Sequence, residues 1–193
     1  DGDSYARGLR GMYTIAIFDP KQQRLVLSRD PFGIKPLYIA QTSLGLAFAS
    51  EPQALIAAGL VSPEVDPDVR STFLQCQFTT GRNTIFKGIE RVLPGETVIA
   101  EQGRIVERLR RDALPELDWC EWTEAEALER LDAALIDSVR VHERADVPYG
   151  LFLSGGVDSS AILAAMRRID ERPVKAYTVG FDVPGARDER AHA

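Results

Sequence analysis

A chain of 193 residues, 45% of them hydrophobic, holds enough apolar material for one large core or two small ones. Its net charge of −6 leaves no basic footprint for nucleic acid, and no stretch has the apolar length of a membrane span. The opening residues, Asp1 to Gly11, carry neither a charged-then-apolar leader pattern nor an initiating Met, so the expected location is the cytoplasm.

Met12 to Phe18 and Arg24 to Ser28 are β-rich runs joined by the turn-forming Asp19-Pro20-Lys21-Gln22-Gln23, and they predict a hairpin. Next comes Arg29-Asp30-Pro31-Phe32-Gly33-Ile34-Lys35-Pro36, an acid–base pair followed by two prolines that rigidify the crossing. Read from its residues alone, this is a structural loop with an Arg29 salt bridge, a direct chemical role being the alternative. Leu37 to Ala40 and Leu46 to Ala49 flank a turn and predict a second strand pair. Glu51 to Ala58 predicts a short helix ended by Gly59. Asp66 followed by Pro67 opens another helix that runs to about Gln75. Thr97 to Ala100 and Arg104 to Leu109 predict a last hairpin around Gln102-Gly103.

Cys76, within the apolar run Phe73-Leu74-Gln75-Cys76, reads as a buried small hydrophobe rather than a nucleophile. Neither it nor Cys120, His142 or His192 has zinc-site spacing, and both cysteines are expected as free thiols. No serine–histidine–acid constellation can be assembled from this pattern.

Strands dominate to about residue 109, and then the character changes. Residues 110–122 mix charge, a proline and two tryptophans without periodicity, as a linker does. Thr123-Glu124-Ala125-Glu126 is a capping box that opens a long helix to about Arg144, with Leu128, Leu131, Leu135 and Val139 on one face. Strand Tyr149 to Leu153, helix Ser159 to Ile169 and strand Val174 to Gly180 follow as a parallel βαβ unit. Between the first strand and its helix lies Ser154-Gly155-Gly156-Val157-Asp158-Ser159-Ser160. Its glycines let backbone N–H groups turn inward, its serines add hydroxyl donors, and the helix end faces the same point, so the loop suits anionic oxygens. It lacks the lysine and the wider glycine spacing of a Walker loop. The alternative is a Ser/Gly turn that merely caps the helix, although Asp158 beside three hydroxyls exceeds what a cap requires.

Ser154-Gly155-Gly156-Val157-Asp158-Ser159 resembles the pyrophosphate loop of ATP pyrophosphatases, which cleave ATP to AMP and pyrophosphate while adenylating a substrate. Asp146-Val147-Pro148-Tyr149-Gly150 leading into Leu151-Phe152-Leu153 narrows the resemblance to the glutamine-dependent asparagine synthetase family. Arg29 through Tyr38, then Phe48-Ala49-Ser50-Glu51, Ala54-Leu55, Ile89 and Leu93-Pro94-Gly95-Glu96, resemble the later half of a class II glutamine amidotransferase domain.

The resemblance implies an α+β fold for residues 1–109, the C-terminal part of an antiparallel β-sandwich of the Ntn-hydrolase type. After a linker at 110–122, residues 123–193 would start an α/β parallel-sheet domain similar to the adenine nucleotide alpha hydrolases. The implied activity is ATP-dependent amidation of aspartate through β-aspartyl-AMP, with ammonia drawn from glutamine. The implied cofactors are ATP and Mg2+; the partners are the small molecules aspartate, glutamine and ATP, with no nucleic acid and no membrane, and a homodimer of the parent enzyme is allowed. Ser154, Gly155, Gly156, Ser159 and Ser160 match the family's pyrophosphate cradle, and Asp158 a carboxylate used with magnesium. Leu153 and Val179 match positions that line the adenine and ribose pocket, a plain core-strand role being the alternative for Val179.

The chain departs from the family at its start. It begins with Asp1 rather than the nucleophilic cysteine, and it lacks the glutamine-binding Asn-Gly-Glu segment and the distal pyrophosphate segment, so no catalytic residue is assigned to it. A parallel sheet needs cover on both faces, which two strands and few helices do not supply. The expectation is a fragment, inactive alone and loosely packed after about residue 145. Its rivals are a related amidotransferase or cyclising synthetase acting on another carboxylate, and a non-catalytic nucleotide-binding module.

Overall fold

The computed structural model describes residues 2–114, 120–181, 183 and 190, with side chains from Tyr5 onward. The chain divides into two compact units, Asp1–Glu116 and Leu117–Ala193. The first unit opens with a 3-10 helix at Gly2–Gly8 that the sequence pattern did not announce.

The first hairpin forms where the β-rich runs predict it, from β1 (Thr14–Asp19) and β2 (Arg24–Arg29), with Thr14 opposite Arg29 and Asp19 opposite Arg24. Asp19 sets the turn, its carboxylate accepting the N–H groups of Lys21 at 2.8 Å and Gln22 at 3.3 Å. Strands β3 (Tyr38–Thr42), β4 (Gly45–Ala49), β5 (Glu90–Arg91), β6 (Glu96–Glu101) and β7 (Arg104–Arg110) complete two antiparallel sheets, ordered β1-β2-β6-β7 and β4-β3-β5.

The sheets pack face to face because each contributes alternate apolar residues to one core. Leu27 and Val98 come from the larger sheet, Ile39 from the smaller, and Leu37 and Val92 from the segments beside it. The opposite face of the smaller sheet is covered by α1 (Pro52–Ala57), whose Leu55 packs with Ala40 and Ile89. The unit is therefore a mixed α/β structure with antiparallel sheets.

Helix α2 (Pro67–Cys76) starts at the predicted cap, Asp66 accepting from the N–H groups of Asp68 and Val69. It contains no buried residue, and Leu74 and Phe78 are mainly exposed. Cys76 is thus exposed rather than buried, because the run that reads as core lies on a helix that no described element covers.

The second unit contains α3 (Glu124–His142), β8 (Gly150–Phe152), α4 (Val157–Ile169) and β9 (Lys175–Tyr177). Strands β8 and β9 pair in parallel, Gly150 with Lys175 and Phe152 with Tyr177, which is the predicted βαβ connection with shorter strands. Thr123 and Glu126 form the capping box of α3. Of the predicted apolar stripe on α3, Val139 is buried and Leu135 packs beside it, whereas Leu128 and Leu131 are exposed. Val139 meets Ala165 and Met166 of α4 in a small core with Leu151 and Val174, and Arg168 pairs with Asp132 across the two helices. Phe152 and Tyr177, paired in register, stay exposed with ring centroids 6.3 Å apart. Of the predicted linker at 110–122, residues 115–119 lie outside the described residues, and Trp122 holds the Arg130 guanidinium 4.7 Å over its ring.

Candidate functional site

The site is built where β8 ends. Leu153 continues the parallel pairing by donating its N–H to the Tyr177 carbonyl at 2.9 Å, and it is buried at the strand's end. The chain then turns through Gly155, whose φ of +72° lies in the left-handed region that glycine adopts without Cβ strain. Gly156 is the N-cap of α4 in extended conformation and offers no side-chain cap. The first N–H groups of a helix have no intrahelical partner, so an uncapped start leaves them directed at whatever lies before it.

The two serines that bracket the turn hold it closed. Ser154 and Ser159 are 3.2 Å apart between hydroxyl oxygens. The Ser154 N–H donates to Ser159 Oγ at 3.3 Å, and the Gly156 N–H donates to Ser154 Oγ, also at 3.3 Å. Ser159 Oγ in turn donates to the Gly156 carbonyl at 3.2 Å. These bonds are long and exposed, which suits hydroxyls that can rotate toward another acceptor. Helix α4 begins at Val157, two residues earlier than its apolar periodicity announces, so Asp158, Ser159 and Ser160 belong to its first turn. Asp158 and Ser160 are exposed there.

The structure thus gathers Leu153, Ser154, Gly155, Gly156 and Ser159 into one turn, with Asp158 and Ser160 on the adjoining helix end. Val179 lies two residues beyond β9 and is 61% exposed, so the core-strand alternative for it does not hold. Thr178, which carries no motif signal, donates its hydroxyl to the Leu153 carbonyl at 2.8 Å. Only its place one residue before Val179 could have drawn attention to it.

The second motif, Arg29 to Pro36, is a self-satisfied loop. Among the described residues Arg29 makes no salt bridge; its guanidinium donates to the carbonyls of Gly33 at 2.6 Å, Lys35 at 2.8 Å and Val92 at 2.6 Å. The Asp30 carboxylate, buried, accepts the N–H groups of Phe32, Ile34 and Lys35. Each charge templates backbone, so the pair shapes a loop rather than binding its neighbour. Beneath it Glu96, also buried, receives both Arg82 and Arg108 and the Leu93 N–H. Burial acts to raise the Glu96 pKa, but the hydrogen bonds from Arg82, Leu93 and Arg108 outweigh it and hold the carboxyl below its ordinary value. Among the described residues, no group of three or more His, Cys, Asp or Glu side chains could hold a metal ion.

A paired antiparallel-sheet unit followed by a strand–glycine turn–helix unit defines a class that comparison with known proteins makes specific. A family model for the glutamine amidotransferase domain matches residues 1–110, and one for asparagine synthase matches residues 130–193. The chain belongs to the glutamine amidotransferase family, and the match to the asparagine synthase model follows that domain in the same chain. The resemblance to glutamine-dependent asparagine synthetases is borne out by the relatives. The chain is 34% identical to the glutamine-hydrolysing asparagine synthetase 1 of Bacillus subtilis, over 93% of its own length and 28% of that protein's. It is 28% identical to the glutamine-hydrolysing asparagine synthetase B of Escherichia coli, over 98% of itself and 31% of the relative. An amidase of Gibberella zeae is 30% identical over 100% of the chain and 30% of the amidase. The chain spans about three-tenths of the length of the curated relatives it matches.

Proposed function

We propose that the whole protein is a glutamine-hydrolysing asparagine synthetase, a ligase of asparagine biosynthesis, and that this chain carries the first wall of its ATP site. The observation that carries the reading is the Ser154–Ser160 turn, where rotatable hydroxyls, a left-handed glycine and an uncapped helix end converge at the end of a parallel strand. Such a set recognises a polyphosphate by hydrogen bonds from backbone and hydroxyl groups together with the helix dipole. On this reading residues 1–109 belong to an Ntn-type glutaminase domain, residues 110–122 join the two parts, and residues 123–193 begin a domain similar to the adenine nucleotide alpha hydrolases. The surroundings are cytoplasmic, and the whole enzyme is open to forming a homodimer.

In the proposed reaction the β-carboxylate of aspartate attacks the α-phosphorus of ATP and pyrophosphate leaves. Ammonia released by glutamine hydrolysis then displaces AMP to give asparagine. Ser154, Ser159, Ser160 and the N–H groups of Gly155 and Gly156 hold the departing pyrophosphate, while Leu153 and Val179 border the adenosine. Asp158 is the residue that would hold Mg2+. A single exposed carboxylate fits a magnesium ion whose other ligands are phosphate oxygens and water. When bound, that ion neutralises phosphate charge and polarises the phosphoryl group.

A second reading is favoured by the Gibberella zeae amidase, which is similar over the whole chain: the same nucleotide chemistry directed at another carboxylate. The whole protein, supplied with ATP, magnesium and glutamine, is expected to release AMP and pyrophosphate only when aspartate is added, with asparagine as product. AMP release driven by a different carboxylate and not by aspartate would establish the second reading instead.

A further inference from the structure

The parallel pair β8–β9 ends in an unusual rung. The Leu153 N–H donates to Tyr177, and in a parallel ladder the next bond would run from the Val179 N–H to the Leu153 carbonyl. The donor seen on that carbonyl is the Thr178 hydroxyl, at 2.8 Å. Strand β9 stops at Tyr177, and among the described residues the Val179 N–H has no backbone partner.

Two features meet at this rung. The Leu153 peptide, immediately before Ser154-Gly155-Gly156, is fixed at its N–H by Tyr177 and at the following carbonyl by Thr178. Among the described residues the Val179 N–H is not spent on the ladder, and it lies beside an exposed side chain at the end of the parallel pair where β8 leads into the glycine turn. A valine at 178 would fill the same volume and keep the β-branched preference for extended backbone, but it would leave the Leu153 carbonyl to recruit the Val179 N–H.

We infer that Thr178 is a positioning residue of the nucleotide site, which holds the Leu153 peptide under the glycine turn and keeps the Val179 N–H available to the nucleotide. The inference rests on the reading of Leu153 and Val179 as the border of an ATP site. Thr178 touches neither phosphate nor base in this role and acts through its two neighbours.

The test compares Thr178→Val with Thr178→Ser. In the full chain, NMR of Thr178→Val is expected to show a shifted Leu153 carbonyl resonance and a Val179 amide newly protected from hydrogen exchange, while Thr178→Ser keeps both as in the unsubstituted chain. In the whole protein, Thr178→Val is expected to raise the KM for ATP by about three- to tenfold, the worth of one neutral hydrogen bond, with kcat changed far less, and Thr178→Ser is expected to restore it. Unchanged Leu153 and Val179 signals in Thr178→Val, or a Ser variant as impaired as the Val variant, would overturn the inference. Absence of ATP binding by the unsubstituted whole protein would remove the ATP-site reading, while the NMR comparison would still decide what Thr178 does to Leu153 and Val179.

Discussion

Asp158 stands in the first turn of α4, where the helix dipole favours a negative charge and a neighbouring polyphosphate would not. A cation would reconcile the two, and this makes the carboxylate's charge, rather than its shape, the property to test. Asp158→Asn in the whole protein is expected to lower ATP–pyrophosphate exchange by about 10- to 100-fold, the worth of one charge-assisted contact of about 1.5–3 kcal/mol; unchanged exchange would remove Asp158 from the metal role. Gly155 supplies a backbone angle, with φ at +72°. Gly155→Ala there costs about 1–2 kcal/mol of local strain, and it is expected to weaken pyrophosphate inhibition while the far-ultraviolet circular dichroism spectrum stays as it was. Glu96 gives a pH signature. Its pKa in the folded chain lies below the ordinary 4.5, so its stabilisation is complete above that value and is lost as pH falls through the folded value. Thermal melts should therefore show an acid-side loss of stability that Glu96→Gln reduces, and Glu96→Gln should itself destabilise at neutral pH by about 1–3 kcal/mol, because Arg82 and Arg108 lose their shared partner.

At the scale of elements, the hairpins were legible because strand-forming runs and turn residues agreed. Asp19 closes its turn as Asx chemistry requires, and Asp66 caps α2 with proline at the first helical position. The capping box of α3 was equally plain, and Thr123→Ala is expected to cost about 1 kcal/mol by chemical denaturation; a loss near zero would mean that packing alone fixes the start of the helix. The sequence was less legible where tertiary context decides. The α3 stripe promised four core leucine and valine positions, yet Leu128 and Leu131 are exposed because the second unit's core reaches only the C-terminal half of the helix. Arg29 and Asp30 read as an ion pair since their charges oppose, while the folded loop offers each of them backbone groups that fit better. In the candidate site the glycine–serine turn was visible from residue chemistry. The early start of α4 was not, because Val157 and Asp158 carry loop-like neighbours, and Thr178 was not, because a strand-end hydroxyl has no spacing to betray it.

For the molecule as a whole, two units with different architectures follow one another, antiparallel sheets with a shared core and then a short parallel pair with its crossover helix. Their order matches the glutamine amidotransferase and asparagine synthase models, and the chain spans about three-tenths of the curated relatives. Coupling of glutamine hydrolysis to aspartate activation is therefore a property to be measured on the whole protein. The most direct measurement is aspartate-dependent exchange of labelled pyrophosphate into ATP by the whole protein with magnesium. Exchange is expected to require aspartate and to fall when Asp158 is changed to Asn; exchange absent with aspartate, or indifferent to Asp158, would contradict the synthetase reading.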